Sequence, residues 1–474
     1  MIRRQFLAAG AAALTLFPRT PRAIRRVRLF LRPEQELGTT PRNFLGLGFE
    51  TSTVAYPGLL SGANRALINY ISAMGHEGVI RIGGNTSDYA VWSPHGKAVS
   101  SPQPQPSVIN NAILADLGRF LRAIGWKLIW GLNLGTGTPQ EASEEAAAVA
   151  GAVGDALLAL QIGNEPDLFS HNGLRNRNYT YPDYLREFQR FAKAIRKRLP
   201  NIPFAGPDVA VQTSWAGEFA GGPERPVLLT QHYYAEGPPA NPAATIQNLL
   251  KPNERYEEML RQLRRISNSA RIPYRIVETN SCFGGGKPGV SDTFASALWG
   301  LDYCFSLAAH EAAGINFENG INQFGRVSCY SPIYNDEQGL YSARPLYYAM
   351  RAFSMMGVGQ RLVLKSEISG INFKAYAVRD DPGRTWVTLI NKEPEQAVEA
   401  TISPSRTFAS ANAIRLTAPS MSSKSGVMLG GAVISNENGK EGYWRAAGRE
   451  PLRVKGGDIK VHVPASSATF VEFG

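Results

Sequence analysis

ALLALQIGNEPDLF occupies residues 156–169. An apolar run passes through Gly163 to Asn164 and Glu165, and Pro166 stops it. A short apolar run bounded by glycine and proline reads as a buried strand. A solvated turn at its end would need only Asp or Gly. A carboxylate there has another use. In a barrel of parallel strands, chemistry collects where strands end, so Glu165 reads as a catalytic acid whose partner lies elsewhere in the chain.

Outward from this stretch the chain alternates. Strand-like runs cover 43–50, 78–84, 127–135, 156–165, 203–209, 227–234, 274–280 and 314–320. Helix-like runs cover 63–74, 111–125, 141–153, 181–199 and 292–311. In the second of these Leu114, Leu117, Leu121 and Ile124 share one face, at the spacing of an amphipathic helix. Eight strands, each followed by a helix or a long connection, predict an α/β fold, a (β/α)8 TIM barrel over 41–355. A doubly wound sheet should carry a glycine-rich phosphate loop after its first strand, and none is present. FGGGKPG (283–289) comes too late in the chain to serve.

From about residue 356 the texture changes. INFKAYAVR, TWVTLINK, AVEATIS, AIRLTA, IKVHVP and ATFVEFG alternate with period two between turn signals. This predicts a C-terminal antiparallel β-sandwich over 356–474. The alternating stretch 24–40 has no place in the barrel count and is expected to join that sandwich. Residues 1–23 begin MIRRQFLAAGAAALTLFP, a twin arginine before a short apolar segment. They predict a twin-arginine export signal and a periplasmic or secreted protein without stable membrane insertion, since the apolar run is too short to span a bilayer.

At 474 residues the chain is long enough for both domains. The net charge is +11, with four arginines in the first 23 residues. No basic run interleaved with aromatics and no zinc-finger spacing appear, which argues against a nucleic-acid partner. Cys282, Cys304 and Cys329 are odd in number and lack metal-ligand spacing, so neither a disulfide framework nor a metal site is expected.

A partner for Glu165 is Glu278, at the end of YRIVETN, the seventh strand. Strands four and seven face each other across a barrel mouth. Two facing carboxylates suit glycoside hydrolysis: one protonates the leaving oxygen and the other attacks the anomeric carbon. Asn164 can hydrogen-bond a sugar hydroxyl beside that carbon. Glu50 and Glu318 also end strands but lack the Asn-Glu or Glu-Thr-Asn context, and rim roles are left to them. No G-x-S-x-G elbow is present, and the six histidines form no cluster with carboxylates along the chain.

GNEPD, VETNSCFGGGKPGVSDTF, GGNTSDY (83–89), GPDV (206–209) and QHYY (231–234) together resemble the retaining glycosidases of clan A. The similarity is greatest to glycoside hydrolase family 79, the β-glucuronidase and heparanase family. The resemblance extends over barrel and sandwich. It implies Glu165 as acid/base and Glu278 as nucleophile, with no cofactor. It also implies that Asp88 takes sugar hydroxyls and that a residue of QHYY orients the nucleophile; His232, Tyr233 and Tyr234 all remain candidates. In that family the sugar carboxylate is held by a Tyr-Gly-Gly segment five residues after the nucleophile and by a tyrosine on the next loop. Here those positions hold Phe283, Gly284 and Gly285, then Tyr330, with Asn322 eight residues before it. Phe283 departs from the pattern, because a phenyl ring cannot donate to a carboxylate.

The expected activity is that of a retaining β-glucuronidase acting on uronic-acid-containing carbohydrate. Phe283 leaves open a neutral or modified glycone: a β-glucosidase, β-galactosidase, β-xylosidase or 4-O-methyl-glucuronidase. A non-catalytic glycan-binding protein is the alternative from another class, and the intact glutamate pair speaks against it.

Overall fold

The computed structural model describes residues 24–336, 338–436 and 442–474. The export segment expected over 1–23 lies outside the described residues. The chain opens with β1 (Arg25–Thr40) and then builds eight parallel strands: β2 (Gly46–Glu50), β3 (Val79–Gly83), β4 (Lys127–Leu132), β5 (Leu157–Ile162), β6 (Ala205–Val209), β7 (Leu228–Glu236), β8 (Tyr274–Cys282) and β9 (Gly314–Glu318). They pair in the order β5-β4-β3-β2-β9-β8-β7-β6. A parallel bridge between Leu160 and Phe204 joins the two ends, so the sheet closes into a barrel.

The outer ring is built from α1 (Arg65–Ala73), α2 (Asn111–Ile124), α3 (Pro139–Val153), α4 (Tyr181–Arg196), α5 (Glu254–Ala270) and α6 (Phe294–Ala309). Their ends follow from local chemistry. The Asn110 side chain accepts the Ile113 N–H at 2.9 Å to start α2. Gly125, at φ 75°, ends it by donating its N–H to the Leu121 carbonyl. Thr138 and Glu141 form a reciprocal capping box at the start of α3. Helix α5 falls in a stretch that the sequence pattern leaves as a connection between strands. Its polar face is dense in charge, and Tyr256, Leu260, Leu263 and Ser267 mark the buried side.

The floor of the barrel is closed by Arg275 of β8. Fully buried, it donates to the Asn316 side chain at 2.6 Å and to the Phe44 and Ile315 carbonyls at 2.9 Å each. Burial without a carboxylate partner pulls its pKa down to about 9.

After α7 (Pro345–Met356) the chain forms β10 (Gly359–Glu367), β11 (Phe373–Arg379), β12 (Thr385–Asn391), β13 (Val398–Pro404), β14 (Ala411–Thr417), β15 (Asp458–Val463) and β16 (Ser467–Phe473). Together with β1 and three short edge strands they make one continuous sheet of 11 strands folded on itself. β1 lies between β10 and β13, antiparallel to the first and parallel to the second, so the sheet is antiparallel except at that pair. Inward-facing Val27, Leu29 and Leu31 of β1 meet Val398, Ala400 and Ile402 of β13 in a core of their own. From the opposite face, Trp386, Ile390, Ile414 and Phe470 join the barrel's core through α7 residues such as Phe353 and Met356. A shared apolar core holds the sheet against the barrel's side and leaves the strand ends open. Among the described residues no helix is long and apolar enough to cross a membrane.

Candidate active site

The C-terminal strand ends open into a cleft of about 710 Å³, within the range of sites that take drug-sized ligands. Glu165 and Glu278 both line it. A carboxylate oxygen of each, with a ring nitrogen of His232, lie within 4.8 Å of one another. Their side chains are only 13% and 9% exposed.

Irregular backbone aims these groups. Glu165 sits just beyond β5 at φ 49° and ψ 51°, a left-handed conformation rare outside glycine. Its N–H donates to the Asp208 carbonyl at 2.9 Å. Asp208 is itself at φ 64°, where the register of β6 against β7 slips between Pro207 and Val209. A second slip falls between Ile276 and Glu278 of β8. Bulges of this kind turn a side chain from the ladder toward a site.

Arg81 is fully buried under the pair. It donates to Glu278 Oε2 at 2.8 Å, Asp208 Oδ2 at 2.7 Å and Asn164 Oδ1 at 2.7 Å. His232 donates from Nδ1 to Glu165 Oε1 and from Nε2 to Asp208 Oδ1, each at 3.0 Å. Glu278 Oε1 accepts from the Tyr234 hydroxyl at 3.1 Å. Glu165, His232, Asp208, Arg81 and Glu278 thus form one hydrogen-bonded chain from one carboxylate to the other.

Burial and neighbouring charges act on Glu165 and on the groups behind it. Burial and the nearby Glu278 charge raise the Glu165 carboxyl above its ordinary value, against the opposing pull of the His232 hydrogen bond. Burial alone would also raise Asp208, but Arg81 and His232 overcome it and hold this carboxyl down to about 2. Burial would deprotonate His232; Asp208 and Glu278 outweigh it and lift the imidazole well above its usual value. The acidic neighbours of His232 thus favour a proton on its ring, and a doubly protonated imidazole donates from both nitrogens.

Two further acids flank Glu278 inside the cleft. Glu50 accepts the Thr86 N–H at 2.9 Å and the Thr86 hydroxyl at 2.7 Å, and burial raises it to about 7. Glu318 is raised well above its ordinary value, by burial first and then by Glu278, and its Oε1 has no partner among the described residues. The structure therefore puts Glu50 and Glu318 in the wall beside Glu278, where the sequence left them rim roles.

The other expected residues divide into two groups. Tyr233, Tyr234, Phe283, Gly284, Gly285, Asn322 and Tyr330 line the cleft with the glutamates. Asp88, Asn164 and His232 lie behind its wall, nearly fully buried. Asp88 accepts the Gly135 N–H at 3.0 Å and the Asn164 N–H at 3.2 Å, and burial raises it to about 7. The Asn164 amide faces Arg81 and Asn85. Of the QHYY residues, Tyr234 touches Glu278, His232 touches Glu165, and Tyr233 packs on Tyr256 and Tyr303. Phe283 is 47% exposed and sets its ring edge-on to Tyr234. Gly284 and Gly285 are left-handed, at φ 74° and 90°, and no acceptor among the described residues takes either N–H.

Arg81 and Asp208 are the site residues that sequence reasoning passes over. A signal was present for each: an arginine inside the apolar strand GVIRIGG, and an aspartate ending the strand PFAGPDV. A fully buried charge needs a partner of opposite sign.

This approach is close to the ~5 Å separation typical of displacement through a covalent intermediate and short of the ~6.5–9.5 Å of enzymes that activate a water directly. Comparisons with known proteins bear on the fold and the family resemblance. Residues 375–469 match the glycosyl hydrolase family 79 C-terminal beta domain. A β-glucuronidase of Aspergillus niger is 27% identical over 374 residues, covering 71% of this chain and 68% of its own. A β-glucuronidase of Neurospora crassa is 25% identical over 310 residues, covering 56% and 54%. Among solved structures, a 4-O-α-L-rhamnosyl-β-D-glucuronidase from Fusarium oxysporum superposes with a TM-score of 0.73 at 17% identity, over 93% of this chain and 99% of its own. A family 51 arabinofuranosidase from Xanthomonas axonopodis superposes at 0.70 and 15%, over 95% and 100%, a likeness of fold alone. A paired-carboxylate barrel followed by this C-terminal domain makes the chain similar to glycoside hydrolase family 79.

Proposed function

We propose that the protein is a retaining β-glucuronidase, with Glu165 as acid/base and Glu278 as nucleophile. The observation that carries this is the close approach of the two carboxylates across the cleft, in environments that differ. Glu165, whose hold on a proton burial strengthens, donates it to the glycosidic oxygen as the C1–O bond breaks. Glu278 attacks C1 from the opposite face. Arg81 and Tyr234 hold its two oxygens apart, one free lobe toward the sugar. Water then attacks C1 of the glycosyl-enzyme, Glu165 takes the water's proton, and the Glu278–C1 bond breaks.

The uronic acid assignment rests on the two unpartnered amides of Gly284 and Gly285 beside Tyr330, a pocket suited to an anion. Burial favours the neutral forms of Glu50 and Glu318, which lessens the negative charge that a bound carboxylate would meet. The curated relatives named above carry the same activity in their names. Export through the twin-arginine segment would place the enzyme where glycans and glycosides reach it.

Phe283 favours a second substrate class, because the family's hydroxyl is missing at that point. The test is kcat/KM on 4-nitrophenyl β-glucuronide against the β-glucoside, β-galactoside and β-xyloside, with Glu278→Gln as blank. Preference for the glucuronide supports the proposal, and preference for a neutral sugar shifts the glycone while keeping the mechanism.

A further inference from the structure

The cleft has a wall that a uronic acid ring does not need. A glucuronyl ring offers hydroxyls and a carboxylate, and the polar groups near Glu278, Glu318 and Tyr330 meet that chemistry. On the Glu165 side the lining changes. Leu168 follows three residues after Glu165, on the short turn that Pro166 begins. Val211 stands beside it, 48% exposed to the cleft. The two segments are tied together by Asp167, whose carboxylate accepts the N–H groups of Ala210, Val211 and Gln212 at 3.0, 2.7 and 2.8 Å. From helix α5, Met259 adds an apolar side chain to that surface, with Glu258 and Gln262 of the same helix also lining the cleft.

That surface carries one cation. Arg255, also on α5, lines the cleft and has no carboxylate partner among the described residues. Further along the same helix Arg261 and Arg265 pair with Glu258, and Arg264 pairs with Glu311. An exposed apolar patch in a cleft marks a binding surface, and an unpaired guanidinium beside it adds a requirement for negative charge.

An acid that protonates a leaving oxygen lies on the leaving group's side of the bond. We therefore propose that Leu168, Val211, Met259 and Arg255 form an aglycone site for an apolar ring compound carrying an anionic substituent. The site is not built for a further neutral sugar. This rests on Glu165 being the acid/base.

The test compares four glucuronides: neutral 2-naphthyl, 6-sulfonato-2-naphthyl, methyl, and a 6-linked galactoside. The expected order of kcat/KM places the sulfonated naphthyl substrate about fivefold above the neutral one, the gain of a partly exposed ion pair. Both should exceed the galactoside. The ratio of sulfonated to neutral should fall to about one in Arg255→Gln, and the ratio of neutral naphthyl to galactoside should fall in Met259→Ser. Each ratio is taken within one variant, so a partial folding defect cancels. A galactoside turned over as fast as the naphthyl compounds overturns the proposal, as does a charge preference that persists in Arg255→Gln. Absence of turnover on all four overturns the β-glucuronidase assignment itself, whereas turnover without aglycone preference overturns only the aglycone site.

Discussion

The imidazole of His232 lies 3.0 Å from the carboxylate of Glu165, and its other nitrogen lies 3.0 Å from Asp208. Asp208 is also held by Arg81, which reaches on to Glu278. Glu165 and Glu278 therefore share one set of buried partners. A change behind the cleft should be felt as a change in proton affinity within it.

Asp208→Asn tests this link. The charged groups facing His232 are Glu165, Asp208 and, at 3.6 Å, Glu278. Without the Asp208 charge His232 loses its strongest support for a proton and becomes neutral. A neutral imidazole no longer holds the Glu165 carboxyl down, so that carboxyl keeps its proton to higher pH. The alkaline limb of kcat/KM should move upward in the variant. A limb that stays in place or moves down would contradict the relay.

The same substitution has a stability signature. Asp208 is held at about 2 against an ordinary 3.8. A depressed carboxyl contributes stability that is present above about pH 4 and lost as pH falls through about 2. The shift is worth about 2 kcal/mol. Chemical denaturation of Asp208→Asn should show its deficit at pH 6 and a smaller one at pH 2.5.

Glu145 gives the opposite sign, far from the cleft. It accepts the Trp130 indole N–H at 2.8 Å, and burial raises its carboxyl from 4.5 to about 7. A raised acid stabilises fully below about 4.5, and that contribution is lost as pH rises through 7. Glu145→Gln keeps an acceptor for Trp130 without the charge. Its unfolding free energy should match the parent at pH 4 and exceed it by up to about 3 kcal/mol at pH 8. A constant difference across that range would refute buried ionisation as the cause.

Glu278→Gln should remove turnover of every glycoside, since an amide cannot form the acyl-linked sugar. Glu165→Gln should slow methyl glucuronide by about 10²–10⁴-fold, the usual size of general acid catalysis. It should slow an activated aryl glucuronide far less, whose leaving group needs no proton. Equal losses on both substrates would exclude Glu165 as the acid.

Phe283→Tyr should lower KM for glucuronides by about tenfold or more, the worth of one hydrogen bond to a charged group. The ring is half exposed at the cleft, which leaves room for a hydroxyl. Unchanged or weaker binding would mean that the sugar carboxylate does not approach this ring.

The fold was legible because every barrel strand announced itself: each is an apolar run bounded by turn residues, as buried parallel strands must be. Helix α5 was not legible, since its charged residues hide three buried apolar ones. The same helix supplies the aglycone wall, so that half of the cleft was unread. Glu165 and Glu278 stood out by their position at strand ends. Arg81 and Asp208 did not, because the value of a buried charge lies in a partner more than a hundred residues away, as Arg81 and Asp208 are to each other. The backbone slips at Asp208 and Glu278 leave no mark in the pattern of residue types.

The central claim is that Glu278 forms a covalent bond to a glucuronyl ring. Its most direct test is incubation with 2-deoxy-2-fluoro-β-D-glucuronyl fluoride, followed by intact-mass measurement and peptide mapping. The account predicts loss of activity, one added fluoroglucuronyl group per chain and the label on Glu278. A label on Glu165, Glu50 or Glu318, or a protein that is neither labelled nor inactivated, would contradict it.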